Sequence, residues 1–131
     1  MLATLKEVLQ AAEDKKIAIG AFDTPNLESL CAAIAAAEEV ELPTIIMHAQ
    51  CHESLCPLDV IGPIMVEHAK KAKVPVCVHL DHGDSIDRVK FALSMGFTSV
   101  MYDGSTLPYE ENVANTKLAA ELAHAQGADI E

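Results

Sequence analysis

Val76-Cys77-Val78-His79-Leu80-Asp81-His82-Gly83 is an apolar run that ends in an acid, a histidine and a glycine. Its first five residues read as a buried strand, because a short continuous apolar run suits a parallel sheet covered on both faces. Side chains alternate between the two faces of a strand. Where this strand stops, the alternation gives way to a turn, so Asp81 and His82 can both face one ligand. A carboxylate beside an imidazole at a strand's carboxyl end suits metal-assisted acid–base chemistry.

The same kind of run recurs on either side. Apolar segments at Ile17–Phe22, Thr44–Ala49, Ser99–Tyr102 and, opening only, Ala128–Glu131 alternate with helical patterns. The helices are expected over Thr4–Asp14, Leu27–Val40, Leu58–Lys73, Ser85–Ser94 and Pro108–Gln126. Asn26 stands before the second, Pro63 lies near the start of the third, and Gly96 and Gly127 stop the last two. Strands that alternate with helices make an α/β architecture. The run-to-run spacing of roughly 23 to 32 residues suits either a doubly wound sheet or a (β/α)₈ barrel. Gly20-Ala21-Phe22-Asp23 after the first run is no phosphate fingerprint, which weakens the dinucleotide-binding version.

Polar residues gather where the runs end: Asp23 and Asn26, His48 and Gln50, Asp81 and His82, Asp103 and Ser105, then Glu131. All of these positions fall at the carboxyl ends of parallel strands. That face holds the active site in barrels and in open α/β sheets. Residues distant in sequence therefore meet in one cleft, which points to an enzyme.

Composition narrows the classes. Half of the 131 residues are hydrophobic, enough for one core, and with three Phe, two Tyr and no Trp that core is built from Ala, Val, Ile, Leu and Met. A net charge of −11 argues against nucleic acid, where clustered Lys and Arg supply most of the affinity. The short basic cluster Lys70, Lys71 and Lys73 sits at a helix end, where cations suit the dipole. No apolar run approaches the ~20 residues that span a bilayer, and Met1–Gln10 lacks the plan of a secretory signal. Cys31 and Cys77 fall on helix and strand positions, so the four cysteines read as reduced thiols of a cytoplasmic protein.

The motifs in order resemble one family. Gly20-Ala21-Phe22 with Asn26-Leu27-Glu28, then His79-Leu80-Asp81-His82-Gly83, then Ser99-Val100-Met101-Tyr102-Asp103-Gly104-Ser105 and Leu107-Pro108-Tyr109-Glu110-Glu111-Asn112 resemble the class II, metal-dependent ketose-bisphosphate aldolases. The resemblance implies a (β/α)₈ barrel. Residues 1–131 would be the N-terminal part of that single barrel: four strand–helix units and the start of a fifth strand. It also implies reversible aldol cleavage of a fructose or tagatose 1,6-bisphosphate to dihydroxyacetone phosphate and glyceraldehyde 3-phosphate. The chemistry would use one catalytic zinc ion, and a second divalent ion stays open. Asp81 takes the catalytic role. His82, Asp103 and Glu131 take metal roles, and Asn26 and Ser105 lie at the substrate. A cation beside Asp81 is expected to keep it ionised. The family is usually a dimer or larger oligomer. Two departures stand out: Asp23 where Asn is common, and His48-Ala49-Gln50 where many members carry a serine.

Other readings stay open on the residues alone. Asp81 could cap the next helix, although Asp84 and Ser85 are better placed. His79 reads as a packed or hydrogen-bonded histidine, and His68 and His124 as solvated helix residues. His48, Cys51, His52 and Cys56 could form a Cys/His zinc site, but their spacing is not that of a common finger. A non-catalytic half-barrel that acts as a binding or assembly module is the alternative to an enzyme; another metal-dependent barrel lyase is the third reading.

Overall fold

A computed structural model describes all 131 residues. Helix α1 (Leu5–Lys15) is followed by β1 (Ala21–Asp23), α2 (Leu27–Glu39), β2 (Thr44–Ala49), α3 (Leu58–Lys71), β3 (Val76–Gly83), α4 (Ile86–Ser94), β4 (Ser99–Tyr102), α5 (Tyr109–Ala125) and β5 (Asp129–Ile130). Local chemistry sets most of these bounds. Thr4 and Glu7 form a reciprocal capping box at α1. The Ser29 N–H donates to Asn26 Oδ1 (2.8 Å) to start α2, and the Arg88 N–H donates to Ser85 Oγ (3.2 Å) to start α4. Gly96 (φ 92°) and Gly127 (φ 73°) supply the left-handed turns after α4 and α5. No helix is long and apolar enough to cross a membrane.

The five strands are all parallel and lie in the order β1-β2-β3-β4-β5. A doubly wound sheet reverses direction at a switch point; this one never does. Helices α2–α5 all contribute to one core with the outward side chains Ile46, Val78, Leu80 and Val100. A smaller cluster on the opposite, inward face joins Ile45 and Cys77 to Val8 of α1. One helix layer outside, with α1 closing the inside at the amino ends, is the arrangement of part of a (β/α) barrel.

Two local features depart from expectation. Pairing of β1 begins only at Ala21, opposite Ile45, rather than at Ile17. Lys16 turns left-handed (φ 55°) after α1, and Ile19 packs onto the α1 cluster instead of joining a ladder. Of the apolar residues there, Ile17 and Ala18 are exposed and only Ile19 is half-buried, so the run does not mark strand pairing. The second departure is in β3, which does not stop at Leu80 but runs to Gly83 through an irregularity. Leu80 pairs with Val100 and Gly83 with Tyr102, so β3 spends one more residue than β4 between those rungs. His82 absorbs the mismatch in a left-handed conformation (φ 48°). Bulges of this kind re-aim side chains.

The bulge requires glycine beside it. A Cβ at Gly83 would stand 2.7 Å from the Met101 carbonyl oxygen and 2.9 Å from Leu80 Cδ2. Gly83→Ala is therefore expected to lower stability by about 1–3 kcal/mol in urea titrations. At His82 the left-handed backbone costs a non-glycine residue about 1–2 kcal/mol. His82→Gly should consequently be more stable than His82→Ala by about 1 kcal/mol, and equal midpoints would contradict the strain.

Candidate active site

The carboxyl ends of the strands form the mouth of the sheet. Along the strand order, the mouth carries Asp23 on β1, His52 in the turn after β2, Asp81 and His82 on β3, Asp103 after β4 and Glu131 after β5. The expected gathering of distant residues is thus built by topology. The bulge sets the two central side chains at different depths. Asp81 keeps 18% of its side-chain surface exposed and His82 keeps 58%.

His82 is oriented by a carboxylate. Its Nδ1–H donates to Asp103 Oδ2 at 2.7 Å, while its Nε2 lies 3.9 Å from Asp81 Oδ1, beyond a hydrogen bond. Asp103 is held from its other oxygen, where the Ser105 N–H donates to Oδ1 at 3.0 Å. Its bonds with Ser105, then that with His82, hold the Asp103 carboxyl down at about 2. The Asp103 bond, then the charge of Asp81, raises the His82 imidazole above its usual value.

Asp81 moves the other way. Burial raises its carboxyl above the usual range; His82 and His52 oppose this, and Asp23 adds to it. Among the protein's own groups, desolvation outweighs the opposing pull of the two imidazoles. A carboxyl shifted toward neutrality is better matched to giving and taking protons near pH 7.

The remaining expected residues have defined places. Asn26 spends its Oδ1 as the cap of α2. Ser105 is exposed, and its backbone serves Asp103. Glu131 Oε2 lies 3.2 Å from His79 Nε2, and the Glu131 N–H donates to the Val100 carbonyl (3.0 Å), which extends the β4–β5 ladder. The rival cluster after β2 is organised differently from a finger. His48 is buried with Nε2–H donating to the Cys56 carbonyl (2.8 Å), and His52 accepts from the Ala49 N–H (3.3 Å) and faces Asp23 at 3.9 Å. No group of three or more His, Cys, Asp and Glu side chains has metal-holding geometry.

Sequence reasoning missed what holds the β2 turn in place. Glu53 pairs with the nearly buried Arg88 at the start of α4 and accepts from the Leu58 N–H (3.1 Å) at the start of α3. Nothing in the spacing of Glu53 and Arg88, 35 residues apart, announces that pairing.

Likeness to known proteins decides the family. The model of fructose-bisphosphate aldolase class II matches residues 3–131. The chain belongs to the class II fructose-bisphosphate aldolase family. Among the chain's relatives, the fructose-bisphosphate aldolase of Thermus caldophilus is 41% identical over 131 residues, covering 100% of the chain and 43% of the relative. That of Giardia intestinalis is 35% identical, covering 99% and 41%. The crystal structure of the YdjI aldolase from Escherichia coli K12 superposes with a TM-score of 0.92 at 35% identity, over 99% of this chain and 49% of that one. The chain thus spans less than half the length of these aldolase relatives.

The donor chemistry of the mouth fits a zinc ion in part. His82 presents an exposed Nε2 whose ring is fixed through Nδ1–H by a carboxylate, the usual arrangement behind a zinc-bound imidazole. A catalytic zinc takes about three protein ligands, and these residues offer one free imidazole nitrogen with carboxylates around it.

The His82–Asp103 pair has a pH signature. The folded His82 value lies above 6.5, so its contribution is complete below that pH and fades as pH rises through the folded value. The Asp103 contribution is present above the ordinary carboxylate range and fades as pH falls toward about 2. In proton NMR titrations, Asp103→Asn is expected to bring the His82 midpoint down toward 6.5; an unmoved midpoint would remove Asp103 as the cause.

Proposed function

We propose that the protein is a zinc-dependent class II aldolase that reversibly cleaves a ketose 1,6-bisphosphate, of fructose or tagatose, to dihydroxyacetone phosphate and glyceraldehyde 3-phosphate. The observation that carries this reading is the pair at the bulge: a sheltered Asp81 with a raised pKa beside an exposed His82 whose free Nε2 is aimed by Asp103. In cleavage, Asp81 accepts the proton of the C4 hydroxyl as the C3–C4 bond breaks. In condensation it returns that proton to the aldehyde oxygen. Zinc, when bound, supplies Lewis-acid polarisation of the ketone and offsets the charge left on the three-carbon fragment. His82 would be one of its ligands through the exposed Nε2. Asp103 and Glu131 supply negative charge beside it, and a second divalent ion would draw on the same carboxylates. Asn26 and Ser105 flank the substrate. The enzyme is cytoplasmic, acts in carbohydrate metabolism such as glycolysis, and works as a dimer or larger oligomer.

A second reading, a non-catalytic half-barrel module, draws on one observation: β1 and β5 each pair on one side only. Open edges of this kind recruit another strand. The decisive experiment assays cleavage of fructose and tagatose 1,6-bisphosphate with zinc and with EDTA. Zinc-dependent turnover is expected, lost in EDTA and lowered at least about 10²-fold by Asp81→Ala, the usual scale of general acid–base catalysis. Turnover that survives both would sink the assignment. Zinc-independent association with no turnover would favour the module.

A further inference from the structure

Beneath the mouth lies a buried polar chain that the aldol steps leave unused. Ser99 on β4 is 0% exposed, and its Oγ lies 2.7 Å from His79 Nδ1. His79 on β3 is 1% exposed and sits on the same rung as Ser99. Its Nε2 faces Glu131 Oε2 at 3.2 Å, close enough for a hydrogen bond although not aligned for one in this rotamer. The Glu131 backbone is fixed by the β4–β5 ladder, while its side chain is 60% exposed and free to turn. Both ring nitrogens of one buried imidazole therefore look at an oxygen.

The chemistry of those oxygens decides where the proton sits. A carboxylate only accepts, whereas a serine hydroxyl can donate or accept. A neutral imidazole carries one N–H. With the proton on Nδ1, the Nε2 lone pair would face the carboxylate, and a buried polar atom would be left unpaired. With the proton on Nε2, Glu131 receives a donor and Nδ1 receives the hydroxyl of Ser99. Only the second assignment satisfies all three groups. Glu131 in turn stands within electrostatic reach of His82, whose charged form it favours.

We propose that Ser99 and His79 are positioning residues for Glu131. The Ser99 hydroxyl donates to His79 Nδ1, which fixes the tautomer whose Nε2–H holds one Glu131 oxygen and leaves the other for a divalent cation at the mouth. The role toward a cation rests on the metal-dependent reading under Proposed function. The tautomer does not.

Ring ¹⁵N NMR of the metal-free protein at pH 7 reads the tautomer directly. The expected result is a pyrrole-type Nε2 and a pyridine-type Nδ1 at His79, with that preference lost in Ser99→Ala. A protonated Nδ1, in either the neutral tautomer or the imidazolium, overturns the proposal. Zinc affinity, measured by chelator competition on variants that keep the wild-type circular dichroism, reads the consequence. Outer-shell partners typically change metal affinity about 10- to 100-fold. Ser99→Ala and Glu131→Gln should each weaken zinc on that scale, and the double variant should bind no more weakly than Glu131→Gln alone. Wild-type affinity in Ser99→Ala, or additive losses, overturns the chain's role toward the cation. Absence of zinc binding in the wild type strikes the metal reading itself, while the His79 tautomer still decides whether the Ser99–His79–Glu131 chain exists.

Discussion

The mouth of this sheet depends on one mismatch of backbone register. Between the rungs Leu80–Val100 and Gly83–Tyr102, β3 has one residue more than β4. An unbulged strand would send Asp81 and His82 to opposite faces, one into the helix layer and one into the mouth. The extra residue breaks that rule, and His82 takes a left-handed backbone to let it happen. Gly83 must then pass close to the Met101 carbonyl, where no side chain fits. The acid, the strained histidine and the required glycine are thus consecutive for a single geometric reason. Strain of this kind persists only where the surroundings over-determine it, and two paired neighbouring strands do so here.

Once placed, the two side chains are driven apart electrostatically by how much water each keeps. Asp81 is mostly sheltered, so the loss of solvation disfavours its charge. His82 and Asp103 stay near solvent and stabilise each other as an ion pair. The carboxyl of Asp81 and the imidazole of His82 are consequently both raised, the first by burial and the second by the carboxylates beside it. Asp23, Asp103 and Glu131 surround them, and the one nearby guanidinium, Arg88, is committed to Glu53. A mouth so rich in carboxylates is suited to a cation and ill-suited to an unaccompanied phosphate. Phosphate recognition therefore calls for groups beyond these side chains, consistent with relatives more than twice as long as this chain.

The helices are legible in the sequence because their ends are marked by local chemistry. Asn26, Ser85, Gly96 and Gly127 act within a few residues of their own positions, and each does in the fold what its side chain or lack of one suggests. The central strands are legible because burial on both faces makes an unbroken apolar run. Three features are hidden. The start of β1 is masked because the apolar run begins before the pairing does, with Ile19 half-buried against the α1 cluster. The bulge is invisible because a register offset is a property of two strands, not of one. The rise of the Asp81 carboxyl is hidden because its largest cause is burial, set by the depth at which the bulge leaves it. Strand ends point to Asp81, His82, Asp103 and Glu131, whereas Arg88–Glu53 and Ser99–His79–Glu131 are long-range contacts with no local pattern.

The open edges bear on what else the fold must do. β1 and β5 are the outermost strands, and all three β1 residues are exposed. Beside β1 lies an apolar trough lined by Ala18, Phe22, Ala33, Val40 and Leu42, with Phe22 51% and Val40 60% exposed. Surface of this kind, next to unpaired backbone groups, favours pairing with further strands. A closed barrel of eight strands would cover both edges at once, and the superposed aldolase structure extends for about as much chain again. Closure would also carry new side chains over the same mouth from the side of Asp23. The exposed Nε2 of His82 and the unpaired sheet edges are therefore two aspects of one geometry. Any strand that paired in parallel with those edges would end at the face where His82 is exposed.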